Sequence, residues 1–171
     1  MRRPPRSLSR SRRAGLDPAE AADAGAIRGS ARVLPSRRDF ATPELVDKLT
    51  GQGYVAERVA EVVAELAGER LLDDTRYATN YVSWHANRGQ GPVRIRQDLL
   101  GMGLPGELVT EALESGPDFA AACRQARERR FGAELPADWK ERARQARFLQ
   151  YRGFSSDHIR SAFGPDFDPE E

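Results

Sequence analysis

The stretch Leu99-Leu100-Gly101-Met102-Gly103-Leu104 decides the fold, because its pattern occurs three times at a spacing of fifty residues. The equivalent glycines are Gly53, Gly103 and Gly153. Each has a leucine four residues before it and apolar residues six and ten residues after it: Leu49, Val59 and Val63 in the first copy, Leu99, Val109 and Leu113 in the second, and Leu149, Ile159 and Phe163 in the third. A fixed spacing of this length is typical of repeat proteins.

Each copy has the pattern of a helix, a turn and a second helix. A glycine just after a helix can adopt the left-handed backbone conformation that ends the helix. Residues four apart, such as Val59 and Val63, share one face of the following helix and can pack against the leucine of the preceding one. We therefore expect each repeat to contain its own small core.

A further helix opens each repeat. Apolar periodicity predicts this helix at about residues 74–87 and 118–131, whereas Pro35 should kink or shorten the first one, at residues 27–40. The sequence thus predicts an all-α fold of three tandem three-helix repeats that form an elongated, curved body. The expected division is a disordered Arg/Pro/Ser-rich tail at residues 1–25, repeats at residues 26–72, 73–116 and 117–163, and a frayed acidic tail at residues 164–171.

The composition argues against several classes of function. Cys123 is the only cysteine and His85 and His158 are the only histidines, which excludes an internal disulfide and leaves too few ligands for a structural zinc site. A reducing, cytoplasmic setting is expected, and no apolar segment has the pattern of a signal peptide or a membrane span. Neither histidine has a catalytic partner in the sequence pattern, so we expect no enzyme, no metal and no cofactor.

Charge is distributed unevenly although the formal net charge is only +1. Residues 1–25 carry six arginines against three acidic residues, and residues 117–163 carry ten basic residues against six acidic ones. Residues 73–116 carry four basic residues against six acidic ones. The repeats together are not basic, whereas a domain that holds DNA by itself usually has a clear excess of Lys and Arg.

Two segments resemble the core signature of the RecX family of regulatory proteins. The first is Leu71-Leu72-Asp73-Asp74-Thr75-Arg76-Tyr77-Ala78, and the second is Gly89-Gln90-Gly91-Pro92-Val93-Arg94-Ile95-Arg96-Gln97-Asp98-Leu99, which Gly103-Leu104 follows. The third repeat, with Arg147-Phe148-Leu149-Gln150-Tyr151-Arg152-Gly153-Phe154, looks like the carboxy-terminal module of that family. The matching structural positions are Asp73, Asp74, Tyr77, Gly91, Pro92, Ile95, Leu99, Gly103 and Gly153.

This resemblance implies a monomeric helical-repeat protein that binds RecA and lodges along the groove of the RecA filament on single-stranded DNA. Members of the family inhibit strand exchange, ATP hydrolysis and coprotease activity of that filament, and so modulate recombination, DNA repair and the SOS response. The sequence departs from the family pattern at Pro35, in the arginine-rich tail, and at Gln145, where the matching positions hold Leu45 and Ile95.

Arginines are the best candidates for contacts with RecA or its DNA, and we single out Arg94, Arg96, Arg124, Arg127, Arg130, Arg144, Arg147 and Arg152. The alternative is that they form a solvated helix face or pair with neighbouring acids. Direct DNA contact through the arginine-rich tail and the third repeat is expected to be weak.

Other conspicuous residues have ordinary structural explanations. Asp73 and Asp74 precede a helix and are expected to cap it. His85 and Cys123 fall on apolar helix stripes and are expected to be packing residues. Trp84 and Trp139 could stack on nucleobases, but packing between repeats is the more ordinary role.

Two rival functions remain open from the sequence. In one, the chain is a DNA-binding module whose helix pairs and arginine-rich tail follow the phosphates. In the other, it is a helical adaptor for a protein other than RecA.

Overall fold

The computed structural model describes residues 16–33, 40–164 and 167, and all regular structure in these ranges is helical. A four-residue helix, α1 (Pro18–Ala21), precedes three sets of three helices. The sets are α2 (Ala24–Val33), α3 (Thr42–Gly51) and α4 (Ala56–Gly68); α5 (Asp74–Asn87), α6 (Pro92–Gly101) and α7 (Gly106–Glu114); and α8 (Phe119–Phe131), α9 (Trp139–Tyr151) and α10 (Ser156–Phe163). The predicted all-α class and tandem three-helix units are confirmed.

The three glycines of the repeat occupy equivalent turns. Gly53, Gly103 and Gly153 have φ angles of 103°, 84° and 88°, which lie in the left-handed region that glycine tolerates best. In every copy the amide after the glycine donates to the carbonyl of the leucine five residues earlier; for Phe154 and Leu149 the distance is 3.1 Å. This bond satisfies a carbonyl that the end of the helix would otherwise leave unpaired. The fifty-residue spacing therefore marks repeated structure.

Within the described part of the chain, the buried apolar residues form two cores rather than three. One core belongs to the first repeat and contains Leu45, Leu49 and Val59, each with no exposed surface. The other runs through the second and third repeats, contains both Leu99 and Leu149, and also includes Ala41, which precedes α3 of the first repeat. The expectation of a separate core for each repeat is therefore wrong for these two, because α8 packs against α5 of the second repeat as well as against α9 and α10 of its own.

A close backbone contact joins the second and third repeats. The Gly91 amide donates to the Arg152 carbonyl at 2.8 Å, and the Val93 amide donates to the Gly153 carbonyl at 3.0 Å. A Cβ atom at Gly91 would lie 2.2 Å from the Gly153 carbonyl carbon, so only hydrogen fits there. These contacts bring the start of α6 directly onto the glycine turn that follows α9.

At the joint between the first and second repeats, the start of α3 lies against the glycine turn that follows α6, as the start of α6 lies against the turn that follows α9. Pro43, in the first turn of α3, lies against Gly103, where an added Cβ would be 2.9 Å from the proline Cβ. The Thr42 amide donates to a carboxylate oxygen of Asp74 at 2.7 Å. The first joint therefore combines a proline contact on the glycine turn with a hydrogen bond to the side chain of the residue that begins α5.

The amino-terminal boundary of the ordered chain differs from the prediction. Helix α1 lies inside residues 1–25, which the composition predicts to be disordered. Asp17 accepts a hydrogen bond from the Ala19 amide and Pro18 begins the helix, so this short helix has an N-cap residue and a proline in its first turn. The Val55 amide donates to the Ala21 carbonyl at 2.9 Å, and the Leu16 side chain packs against the first core. The first fifteen residues and Pro35 lie outside the described residues.

The predicted frayed tail also contains an ordered residue. Phe167 is 2% exposed, with its ring centroid 4.5 Å from that of Phe163 and 5.3 Å from that of Trp139. The composition of residues 164–171 does not predict this contact, because a single aromatic residue among acids and prolines shows no periodicity. Phe167 therefore anchors the chain beyond α10 to the start of α9.

Candidate functional site

An arginine-lined cavity lies at the joint between the second and third repeats. Its volume is about 360 Å³, and no acidic residue is among those that line it. We call this cavity the arginine basin, defined by Arg88, Gly89, Ala126, Arg129, Arg130, Phe148 and Arg152. The end of α5, the second half of α8 and the end of α9 supply these residues, so the basin exists only because the two repeats pack together.

Two of the basin arginines are held by the carboxyl end of α5. Arg129 donates from Nη1 to the Asn87 carbonyl at 2.8 Å, and Arg152 donates from Nη2 to the Arg88 carbonyl at 3.2 Å. These carbonyls belong to the end of a helix, where a positive charge is favourable. The two side chains are thereby fixed in position and retain further N–H groups. The Arg152 Nε is buried and has no hydrogen-bond partner within the described protein.

An exposed aromatic surface adjoins the basin. Trp84 is 55% exposed, and the Arg88 guanidinium lies over its ring at 4.5 Å from the centroid. The His85 ring meets the Trp84 ring edge-on, with 4.6 Å between centroids. Packing of Trp84 between repeats, the more ordinary of the two roles considered from the sequence, is therefore wrong. Arg88 connects the two features because it both covers the indole and lines the basin.

Arg127 is the sequence candidate that the structure places elsewhere. It is 2% exposed, and its two terminal nitrogens donate to the Ala133 and Glu134 carbonyls at 2.9 and 3.1 Å. The guanidinium thus holds the segment after α8 against the core. Arg127 follows Ala126 and lies four residues after Cys123 on the buried face of α8, a position that the stripe of apolar residues could have revealed. It offers no surface to a partner.

The remaining sequence candidates do not form a single cluster. Arg130 and Arg152 line the basin, whereas Arg124 and Arg147 are exposed on α8 and α9. Arg144 is paired bidentately with Glu141, at 2.7 and 2.8 Å, and that hydrogen bonding, followed by a bond from Gln145, lowers the pKa of Glu141 to about 2.

Arg94 and Arg96 lie on α6, and neither is among the residues that line the arginine basin. Backbone and Cβ atoms of Arg94 pack against Gly153, and Arg96 donates to the Thr110 hydroxyl at 2.9 Å. Sequence reasoning missed Arg88 and Arg129. The one available signal was the position of Arg88 four residues after Trp84, a spacing that brings two side chains together on a helix.

The residues that carry the family resemblance hold helices and joints in place. Asp73 caps α5 by accepting the Arg76 amide at 2.9 Å. Tyr77 donates from its hydroxyl to the Met102 sulfur at 3.4 Å, and its ring stacks on that of Tyr81. Fully buried Ile95 and Leu99 face the shared core, while Asp74, Gly91, Pro92, Gly103 and Gly153 lie at the two joints.

The remaining titratable groups with conspicuous sequence positions lie in packed surroundings. His85 stacks on Tyr81 with 3.9 Å between centroids and forms a hydrogen bond with Gln90. Cys123 has no exposed surface, and burial raises the pKa of its thiol to about 12. Among the residues that the structure describes, no group of three or more His, Cys, Asp or Glu side chains could hold a metal ion. No helix in this part of the chain is long and apolar enough to cross a membrane.

Comparison with known proteins places this architecture in one class, the proteins built from tandem three-helix domains. Residues 73–113 match the family model described as the second three-helix domain of RecX, and residues 118–163 match that of the third. The regulatory protein RecX of Halorhodospira halophila is 45% identical over 138 residues, which cover 80% of this chain and 86% of the relative. That of Pseudomonas fluorescens is 40% identical over 135 residues, which cover 78% and 87%.

Solved structures show the same fold at lower sequence identity. The crystal structure of RecX from Lactobacillus salivarius superposes with a TM-score of 0.69 at 20% identity, covering 83% of this chain and 95% of the other. A crystal structure of a regulatory protein RecX gives a TM-score of 0.64 at 22% identity, covering 87% and 78%. The chain belongs to the RecX family of regulatory proteins.

Proposed function

We propose that this chain binds RecA and the RecA filament on single-stranded DNA and restrains the recombinase, ATPase and coprotease activities of that filament. It acts as a monomer in the cytoplasm, without a cofactor, and thereby modulates homologous recombination, DNA repair and the SOS response. The observation that carries the proposal is the arginine basin at the joint of two repeats that share one core. Such a basin suits a partner that presents both protein and nucleic acid.

The architecture supports binding to an extended partner. Repeats arranged in a row offer several separate contact surfaces, and the affinities of linked contacts multiply when all can engage at once. The joint at Gly91 and Gly153 fixes the second repeat relative to the third. A rigid two-repeat body keeps its contact surfaces at a constant spacing, which a regularly repeating filament can match.

The proposal is tested by ATP hydrolysis of RecA on single-stranded DNA. Purified protein should slow hydrolysis at substoichiometric amounts, because one bound molecule in a filament affects more than one subunit. A variant with Arg88, Arg130 and Arg152 all changed to alanine should require a higher concentration for the same inhibition. Heat-denatured protein serves as the control. Hydrolysis that stays unchanged at saturating protein would exclude the proposal.

A second candidate function is direct DNA binding through the arginine-rich amino-terminal segment. Six arginines in residues 1–13 favour it, since phosphate neutralisation produces a steep loss of affinity with salt. Deletion of residues 1–13 should abolish DNA binding and its salt dependence if this function dominates. It should leave inhibition of RecA largely unchanged if the filament is the main partner.

A further inference from the structure

We infer that Trp84 and the arginine basin together form a site for single-stranded nucleic acid, in which a base stacks on the indole and the adjoining phosphodiesters enter the basin. This site deepens the proposed function and rests on it, because it specifies which part of a nucleoprotein filament the second joint would contact. The assignment follows from exposure, charge and geometry at the end of α5.

The indole of Trp84 is an exposed and oriented aromatic surface. A large aromatic side chain that is 55% exposed gains little from packing within the chain. The Trp84 ring also lies edge-on to His85 and under the Arg88 guanidinium, so its orientation is fixed. A fixed, exposed indole beside an arginine is the type of surface on which unpaired bases stack in proteins that bind single strands.

The side chains that line the arginine basin carry only positive charge. Arg88, Arg129, Arg130 and Arg152 line a volume of about 360 Å³ without an acidic residue among the lining side chains. Two of these arginines are positioned by carbonyls at the end of α5, so they need not be ordered when a ligand arrives. Guanidinium groups bind phosphate oxygens through paired N–H donors. The basin is therefore suited to an anion that carries several oxygens.

Arg88 connects the Trp84 indole to the arginine basin, and this connection favours a single-stranded nucleic acid as the ligand. Arg88 lies over the indole and also lines the basin, so a base and its neighbouring phosphate can be engaged by adjacent groups. An acidic peptide would satisfy the arginines but would leave the indole exposed. A duplex would present phosphates but keeps its bases stacked internally. A single strand uses both features at once.

The chain has two tryptophans, which permits a direct test. In the variant Trp139→Phe, Trp84 is the only tryptophan, and a twelve-nucleotide oligothymidylate should quench its emission when tryptophan is excited selectively. The matched variant Trp84→Phe retains only Trp139, whose emission should not change. A duplex with the same number of phosphates, and a polyglutamate peptide, should both fail to quench Trp84. Equal quenching by the duplex or the peptide, or none by the oligonucleotide, would overturn the assignment.

Binding of a labelled oligothymidylate, followed by fluorescence anisotropy, measures the contributions of individual side chains. Trp84→Ala should weaken binding on the order of tenfold, because it removes one stacked base. Arg88→Ala and Arg130→Ala should each weaken binding and reduce the slope of affinity against salt by about 0.7. Arg76→Ala removes the same charge from the exposed opposite end of α5 and should change affinity far less. Equal effects of Arg76 and Arg88 would contradict a localised site.

The RecA assay separates this assignment from the proposed function. If Trp84→Ala still inhibits RecA fully and the oligonucleotide fails to quench Trp84, the site is wrong and the function stands. If the oligonucleotide quenches Trp84 but the native protein leaves RecA unaffected, the site stands and the function is wrong. Circular dichroism of each variant checks that the helices remain, as expected for changes at exposed positions.

Discussion

Gly91 lies where the second repeat meets the third, and its surroundings leave no space for a side chain. A Cβ atom there would be 2.2 Å from the Gly153 carbonyl carbon and 2.3 Å from the Phe154 nitrogen. Both neighbours are backbone atoms, so neither can move aside without breaking the two hydrogen bonds of the joint. Gly91→Ala should therefore lower the free energy of unfolding by about 3 kcal/mol or more, measured by urea denaturation.

The matched control for this prediction lies at the other end of α6, which Gly91 precedes. Gly101 ends α6, and a Cβ atom added there meets nothing within 4 Å. Gly101→Ala should leave stability unchanged or raise it by up to about 1 kcal/mol, because alanine has the higher helix propensity. Equal losses at the two glycines would show that the contact at Gly91 is not what determines its identity.

Substitution of Arg127 should show whether this buried arginine stabilises the fold or contacts a partner. Arg127→Leu should remove both hydrogen bonds from the buried guanidinium to the Ala133 and Glu134 carbonyls, and hydrogen bonds that involve a charged group contribute about 1.5–3 kcal/mol each. Thermal unfolding should show a clear decrease in Tm. The exposed Arg124, three residues earlier, provides the control Arg124→Leu, which should leave Tm nearly unchanged. A stable Arg127→Leu variant that has lost RecA inhibition would refute the structural role.

At the scale of the helix, the sequence predicted the elements well because each has local start and stop signals. The opening helix of the second repeat spans Asp74–Asn87, as its periodicity indicated, and the three glycine turns lie where the repeat placed them. Helix α1 was missed because its four residues are too few for a periodic pattern. Its order depends on Leu16 and Ala21 contacting the first repeat, and no local signal shows such a contact.

Phe167 anchors the chain beyond α10, and its removal should expose the start of α9. Phe167→Ala in a Trp84→Phe background should shift the Trp139 emission to longer wavelength, because the two rings now lie 5.3 Å apart. The free energy of unfolding should decrease by about 3 kcal/mol, as for other buried phenylalanines. Tyr151→Ala, at a residue that is 79% exposed, should change neither quantity. Unchanged Trp139 emission in the Phe167 variant would contradict the contact.

At the scale of the whole molecule, the sequence indicated three repeats but not how they share their cores. Leu49, Leu99 and Leu149 hold the same place in the repeat, yet the last two face one continuous core and the first faces another. The difference arises from long-range packing of α8 on α5 and from the backbone contact at Gly91, which a pattern of apolar residues cannot reveal. The arginine basin was missed for the same reason, since three helices from two repeats form it.

Two cores in one chain should produce two units of cooperative unfolding. Leu149→Ala removes a fully buried side chain from the shared core and should cost about 2–5 kcal/mol. Hydrogen exchange should then accelerate in α5–α7 as well as in α8–α10, because the second and third repeats lose the same core, while α3 and α4 remain protected. Leu49→Ala provides the reciprocal case and should accelerate exchange mainly in α2–α4. If Leu149→Ala affects only α8–α10, the second and third repeats unfold independently, and a basin built across their joint would not persist as a rigid site.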